Sequence, residues 1–380
     1  MTETEPRPTP RPPGTIKVGS VAGADVLVSS SWFLVAGMIA VLVAPNVEAV
    51  QPGLGAWKYV AGVAFAVILY GSILLHEASH AAVARHYGYP VSSITLHFLG
   101  GFTQIEGEAR RPKEEFWIAV VGPLTSIAVG GIGLALLAFD PSGFTLMAIE
   151  GLAGANLLVG VLNLLPGLPL DGGRVLKAGV WGATHNMHRG TIAAGWIGRG
   201  VAVAALCWPM FASGVLGWNV SILDYVISVV LALFLWSGAS AAMASARVRR
   251  RLPALVGRRL ARRSVSVPAD LPLAEAVRLA QQSQAGAIVT LGPDGQPAGL
   301  VNETALLAMP EERRPWVPTS SVARTLVEGL SMPVDIAGEE LIKAISRVPA
   351  AEYLLVETDG SVFGVLTTAD VDAAFRSMGR

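Results

Sequence analysis

His76 and His80 stand four residues apart, with Glu77 beside the first of them. Residues at that spacing share one face of a helix, so both imidazoles can reach a single metal ion. Glu77 then sits where a carboxylate can take a proton from a metal-bound water. These residues close an apolar run, Trp57 to Leu75, that is long enough to enter a bilayer. Ionisable groups are costly in such a segment and mark a functional site. The pattern proposes a hydrolytic metal centre inside a membrane. The competing reading, a polar cluster along a transport path, gives no reason for a glutamate at that offset.

The elements that must position these groups follow from composition. The chain has 380 residues, 52% of them hydrophobic and 15% charged, and a mean hydropathy of +0.53. A soluble protein carries about a quarter charged residues, so the class is integral membrane protein. Its one cysteine, Cys207, excludes an internal disulfide. Six apolar stretches approach the length of a span: Ser31–Ala49, Trp57–Ala84, Phe116–Phe139, Leu146–Leu165, Thr191–Ala212 and Ile222–Ala244. Arg and Lys collect before the first, after the second, after the fourth and after the last, where Arg247, Arg249, Arg250 and Arg251 follow. The alternate loops are nearly free of positive charge. The positive-inside rule then places both termini in the cytoplasm of a multi-pass protein of the cell membrane.

That topology selects a third ligand. His76 and His80 fall in the inner part of span two, whereas Asp140, Asp224 and Glu150 lie toward the outside. Asp171 follows span four on the inner side, within Asn163-Leu164-Leu165-Pro166-Gly167-Leu168-Pro169-Leu170-Asp171-Gly172-Gly173. Prolines interrupt a helix and paired glycines permit unusual backbone, which membranes tolerate where the segment lines a cavity. Two imidazoles and one carboxylate suit zinc.

Residues 91–107 read as strand, glycine turn at Gly100-Gly101 and strand, a membrane-associated β-hairpin. An exposed strand edge beside a protease site could hold an extended substrate, and Gly100, Gly101 and Asn163 are the substrate-positioning candidates. A purely structural hairpin accounts equally for Gly100 and Gly101, and a hydrogen bond across spans for Asn163. Residues 1–26 read as a disordered Pro-rich tail and lead-in, 27–246 as the transmembrane domain, and 247–263 as a basic linker. Arg258, Arg259, Arg262 and Arg263 in that linker suit a membrane surface better than a nucleic acid. From 264 to 380 the composition becomes that of an α/β domain with an internal repeat, 264–310 and 320–376. Each repeat has a helix, an apolar strand, an Asp-Gly turn, a Gly-led strand and a helix.

On the paired motifs His76-Glu77-x-x-His80 and Asn163-x-x-Pro166-x-x-Pro169-Leu170-Asp171-Gly172-Gly173, the first 245 or so residues resemble the site-2 protease family of intramembrane zinc metalloproteases. Gly122-Pro123-Leu124-Thr125-Ser126 resembles the family's Gly-Pro segment, with Ser126 where Asn is frequent. The tail resembles a pair of cystathionine-β-synthase (CBS) domains. The resemblance implies a polytopic helical membrane protease of about six spans with a cytosolic CBS pair. It also implies one zinc per chain on His76, His80 and Asp171, with Glu77 activating water. The substrate would be a single-span membrane protein, an anti-sigma factor being one candidate, cut by regulated intramembrane proteolysis. In the tail, Thr367 and Asp370 match positions that contact adenine nucleotides, whereas the first repeat has Asn302 and Ala305 there. A structural or homodimerising tail is the alternative to nucleotide binding, and a CBS-regulated channel or transporter is the alternative for the whole. His86, His97, His185 and His188 read as surface or interfacial, Arg199 as snorkelling or paired within the bundle. Trp196 reads as an interface anchor.

Overall fold

The computed structural model describes residues 13–377 apart from Ala22 and Leu99. It divides into two units, residues 1–246 and 247–380. Among the described residues, six helices are long and apolar enough to cross a membrane: α1 (Ser31–Val50), α2 (Trp57–His86), α3 (Pro112–Leu136, extended by a short turn to Phe139), α4 (Gly143–Asn163), α6 (Met187–Gly214) and α7 (Ile222–Arg251). Between α4 and α6 lies a shorter helix, α5 (Asp171–Thr184), which the hydropathy pattern does not show. The long helices are apolar on their outer faces: Leu34, Val41 and Leu42 of α1 and Ile222, Leu223 and Leu233 of α7 are exposed. Such faces suit lipid, because the helical backbone satisfies its own hydrogen bonds. The inner faces use small residues instead, as membrane helices do to bring backbones close. At Gly62 in α2 a Cβ would lie 2.6 Å from Ala40 Cα of α1, and at Gly160 in α4 it would lie 3.0 Å from the Pro123 carbonyl of α3.

The hairpin is present as β3 (Val91–His97) and β4 (Gly100–Ile105), paired antiparallel. It is half of a larger sheet. β1 (Thr15–Val21) and β2 (Ala24–Ser29) extend it to four strands in the order β1-β2-β3-β4, with β2 parallel to β3. The disorder expected for residues 1–26 therefore does not reach beyond Gly14, and residues 1–12 lie outside the described residues. Strand pairing supplies what the composition there lacked: Ala24, Val26 and Leu27 of β2 are buried. β4 forms an edge of the sheet and packs along α2.

In the second unit the expected linker is part of the fold. Leu255 is fully buried, and Gly257 N donates to Ile336 O at 2.8 Å at the start of the short helix α8 (Gly257–Leu260). The first repeat comprises β5 (Ser264–Pro268), α9 (Leu273–Gln282), β6 (Ala287–Leu291), β7 (Pro297–Val301) and α10 (Glu303–Ala308). β8 (Ala323–Thr325) then pairs with β7, so residues expected to open the second repeat close the first sheet. The second repeat has β9 (Ser331–Pro333), α11 (Gly338–Arg347), β10 (Glu352–Val356), β11 (Val362–Thr367) and α12 (Thr368–Ser377). Each repeat has one parallel and one antiparallel pairing in the same order. Val289 and Leu300 of one repeat share a core with Leu354 and Val365 of the other, which makes the two a single body.

Candidate metal centre

α2 carries His76 and His80 one turn apart, both 4% exposed. The prolines and glycines after α4 end that helix at Asn163 and let α5 begin at Asp171. The intervening segment is seated by Leu168 N, which donates to Ala194 O of α6 at 3.1 Å, and by Pro169 against Gly238 of α7. Asp171 thus occupies the first turn of α5, where the free N–H groups and helix dipole favour a carboxylate. His76 Nε2, His80 Nε2 and Asp171 Oδ2 lie 3.2 Å from one another on every side. Three ligands of a tetrahedral zinc with bonds of about 2.0–2.1 Å are about 3.3–3.4 Å apart, so the triangle has the required size.

The protons of the imidazoles point the same way. His80 Nδ1 stands 2.5 Å from Ile118 O, which can only accept, so the proton of the neutral ring belongs on Nδ1 and the Nε2 lone pair faces the triangle. His76 Nδ1 is 2.9 Å from Ser126 Oγ, itself buried. Partners behind the ring orient a ligating histidine in this way. The triangle thus brings together two imidazole nitrogens and a carboxylate oxygen, a donor set that a shared cation would satisfy. No other such group of His, Cys, Asp or Glu occurs among the described residues. Gly122 on α3 makes the approach possible: a Cβ there would fall on His80 Nε2 and lie 2.6 Å from His76 Nε2.

Glu77 borders the triangle. Thr103 Oγ1 of β4 is 2.6 Å from Glu77 Oε2 and 3.1 Å from its main-chain oxygen, and a Cβ on Gly101 would lie 2.9 Å from Glu77 Cδ. β4 therefore fixes the carboxylate as well as flanking it. A cavity of about 580 Å³ opens here, lined by His76, Glu77, His80, Asp171, Asn163, Gly100 and Gly101, and so unites every membrane-domain candidate read from the sequence. His97, expected at a surface, also lines it. Arg174 lines it too, and its Nε donates to the buried Glu115 of α3 at 3.1 Å. Sequence reasoning missed Thr103, Arg174, Glu115 and the orienting role of Ser126. Only the position of Arg174, one turn past Asp171, could have signalled its place.

Elsewhere the structure redirects several expectations. Arg199 is stacked between Trp196 and Trp236, 4.9 and 4.8 Å from their ring centres, and donates to Ser240. Trp196 is thus a partner in the bundle rather than only an interface anchor. Arg258 is paired with Asp335 and Glu357. Arg262 binds both oxygens of Asp370, at 2.6 and 3.0 Å, while Thr367 Oγ1 lies 2.7 Å from Asp370. The Arg262 bonds hold the Asp370 carboxyl below the usual carboxylate range. Asn302 of the first repeat caps α10 through Ala305 N and donates to Glu352.

The family model described as peptidase family M50 matches residues 64–142 and 141–207. A Synechocystis protein named as a candidate zinc metalloprotease is 28% identical over 362 residues, 94% of each chain. Rip3 of Mycobacterium tuberculosis, likewise named, is 37% identical over 196 residues, and the match spans about half of either protein. The site-2 protease structure from Methanocaldococcus jannaschii covers 60% of this chain and 95% of its own at 23% identity and a TM-score of 0.41. Two solved CBS-domain structures cover 33% and 41% of this chain at TM-scores of 0.26 and 0.29.

Proposed function

We propose that this chain, in which residues 64–142 and 141–207 match the model of peptidase family M50, is an intramembrane zinc endopeptidase of the site-2 protease type that cuts a single-span membrane protein in or near its transmembrane segment. The observation that carries this is the acceptor triangle of His76, His80 and Asp171 with Glu77 at its border. These three residues would hold one zinc ion, which lowers the pKa of bound water and polarises the scissile carbonyl. Glu77 takes the proton of the attacking water as its oxygen adds to the carbonyl carbon. When the C–N bond breaks, Glu77 passes that proton to the departing amine. Thr103 keeps the carboxylate in one orientation through both transfers.

A transmembrane substrate must first give up helical hydrogen bonds. The edge of β4 supplies backbone groups to replace them, with Gly100 and Gly101 allowing close approach. The Asn163 side chain, which makes no hydrogen bond among the described residues, is available to a substrate carbonyl. The charge pattern supports a multi-pass protein of the cell membrane with both termini and the tail in the cytoplasm. We read the tail as a CBS pair regulating cleavage, either by homodimerising or by binding adenine nucleotide at Thr367 and Asp370. Nucleotide has to displace Arg262 from Asp370 first.

The test compares membrane and soluble peptide fragments, by mass spectrometry, from cells expressing the wild type or Glu77→Gln. An uncut membrane fragment that accumulates only in Glu77→Gln, with zinc retained, supports the protease reading and identifies the substrate. Equal cleavage by Glu77→Gln would sink it.

A further inference from the structure

Among the described residues that line the cavity, Arg174 is the one guanidinium or ammonium, and the rest are mostly apolar, with Ile73, Val159 and Phe234 among them. A fixed positive charge beside a divalent-cation site opposes metal binding. It would, however, stabilise negative charge that develops there. Arg174 lies one turn after Asp171 on α5, on the same face of the helix. Its Nε is tied at 3.1 Å to Glu115 Oε1, and Lys177 Nζ bonds the same oxygen at 3.3 Å. Glu115 is 4% exposed, so this anchor is rigid. The two Nη groups of Arg174 make no hydrogen bond among the described residues. A guanidinium gripped by its Nε, lining the cavity and with neither Nη group bonded among the described residues, is preorganised for an oxygen anion.

We propose that Arg174 is a catalytic residue whose Nη–H groups donate to the scissile carbonyl oxygen as it becomes an oxyanion. The inference rests on the protease reading above. As the water oxygen bonds to the carbonyl carbon, the C=O electron pair moves onto the oxygen that Arg174 faces. When that pair returns, the C–N bond breaks and the amine leaves with the proton held by Glu77. Donors of this kind hold the anion more tightly than the neutral carbonyl, which is what accelerates the step. The competing role is packing alone, with Arg174 fastening α5 to α3 through Glu115.

The test uses the full chain in detergent micelles, loaded with zinc and assayed for metal content. Two probes are titrated: an N-blocked leucyl phosphinate peptide, whose tetrahedral anion mimics the transition state, and the matching leucyl-leucine amide. We expect Arg174→Met to bind the phosphinate about 100-fold more weakly, with zinc content and amide affinity unchanged. Arg174→Lys keeps a cation for Glu115 but lacks the fork, and we expect it to reproduce most of that loss. It decides the matter alone should Arg174→Met fail to fold. Phosphinate affinity within twofold of wild type in a zinc-loaded variant overturns the assignment, and so does an equal loss for both probes. A zinc-loaded wild type that binds the phosphinate no better than the amide, and leaves membrane peptides uncut, overturns the protease reading itself and this assignment with it.

Discussion

At His76 and His80 the decisive contacts lie behind the rings: Ile118 O places the proton of a neutral His80 on Nδ1, and Ser126 Oγ orients the His76 ring. Ser126→Ala removes one such partner without altering the triangle. We expect it to weaken zinc binding by about tenfold or more, measured by competition with a chelator of known affinity. Gly122→Ala is harsher. Its methyl would fall on His80 Nε2, so purified protein should contain little zinc even though alanine suits the helix better than glycine. Thr103 acts one step further out. Thr103→Val removes the bond to Glu77 Oε2, and kcat should fall by roughly tenfold with zinc content and KM nearly unchanged, while Thr103→Ser should stay close to wild type. A Thr103→Val enzyme with wild-type kcat would show that the glutamate is oriented by something else.

Among elements, α5 does two things: its first turn delivers Asp171, and its next two turns carry Arg174 and Lys177 to the buried Glu115 of α3. Breaking a buried ion cluster by removing one member leaves the others uncompensated. Glu115→Ala should therefore destabilise the membrane domain by about 3 kcal/mol, read as a shift in denaturation in micelles. Lys177→Ala should cost less, because Arg174 still pairs with Glu115. An equal cost for both would mean that the cluster is not organised around the carboxylate. β4 similarly combines a free edge for backbone pairing with the side chain that steadies Glu77, so the strand and the base cannot move independently.

For the molecule as a whole, the two units present separate chemistry, and the second is testable through Asp370. Arg262 depresses the folded-state pKa of Asp370 below its ordinary 3.8. Stability from this pair is present above pH about 4 and is lost as pH falls through the depressed value. Hydrogen exchange of β11 and α12 in the full chain should therefore be slower in wild type than in Asp370→Asn near pH 6, with the difference shrinking as the pH falls below about 4 and through the depressed value. The same bonds compete with a nucleotide. If the tail takes one at Thr367 and Asp370, Arg262→Ala should bind AMP more tightly than wild type by calorimetry. Unchanged or absent binding in both would favour the structural, dimerising tail.

What the sequence determined was local. The spacing of His76, Glu77 and His80 places them on one helical face, long apolar runs specify spans, and Asp-Gly turns at a fixed period mark the repeat of the tail. Even Asp171 was legible, since its depth and its Pro-Gly surroundings are properties of nearby residues. Tertiary structure alone decided the partners that come from distant segments. Thr103 reaches Glu77 across 26 positions, Ser126 reaches His76 across 50, and Arg174 reaches Glu115 across 59. β1 and β2 belong to the same class: their residues look like a polar lead-in, and they become strands because β3 offers β2 an edge. In the tail, Arg258 and Arg262 read as surface charge until folding sets carboxylates beside them. The physical reason is common to all of these. Periodicity and backbone preference are written within a few turns of chain, whereas a hydrogen bond between segments exists only after packing has brought its two ends together.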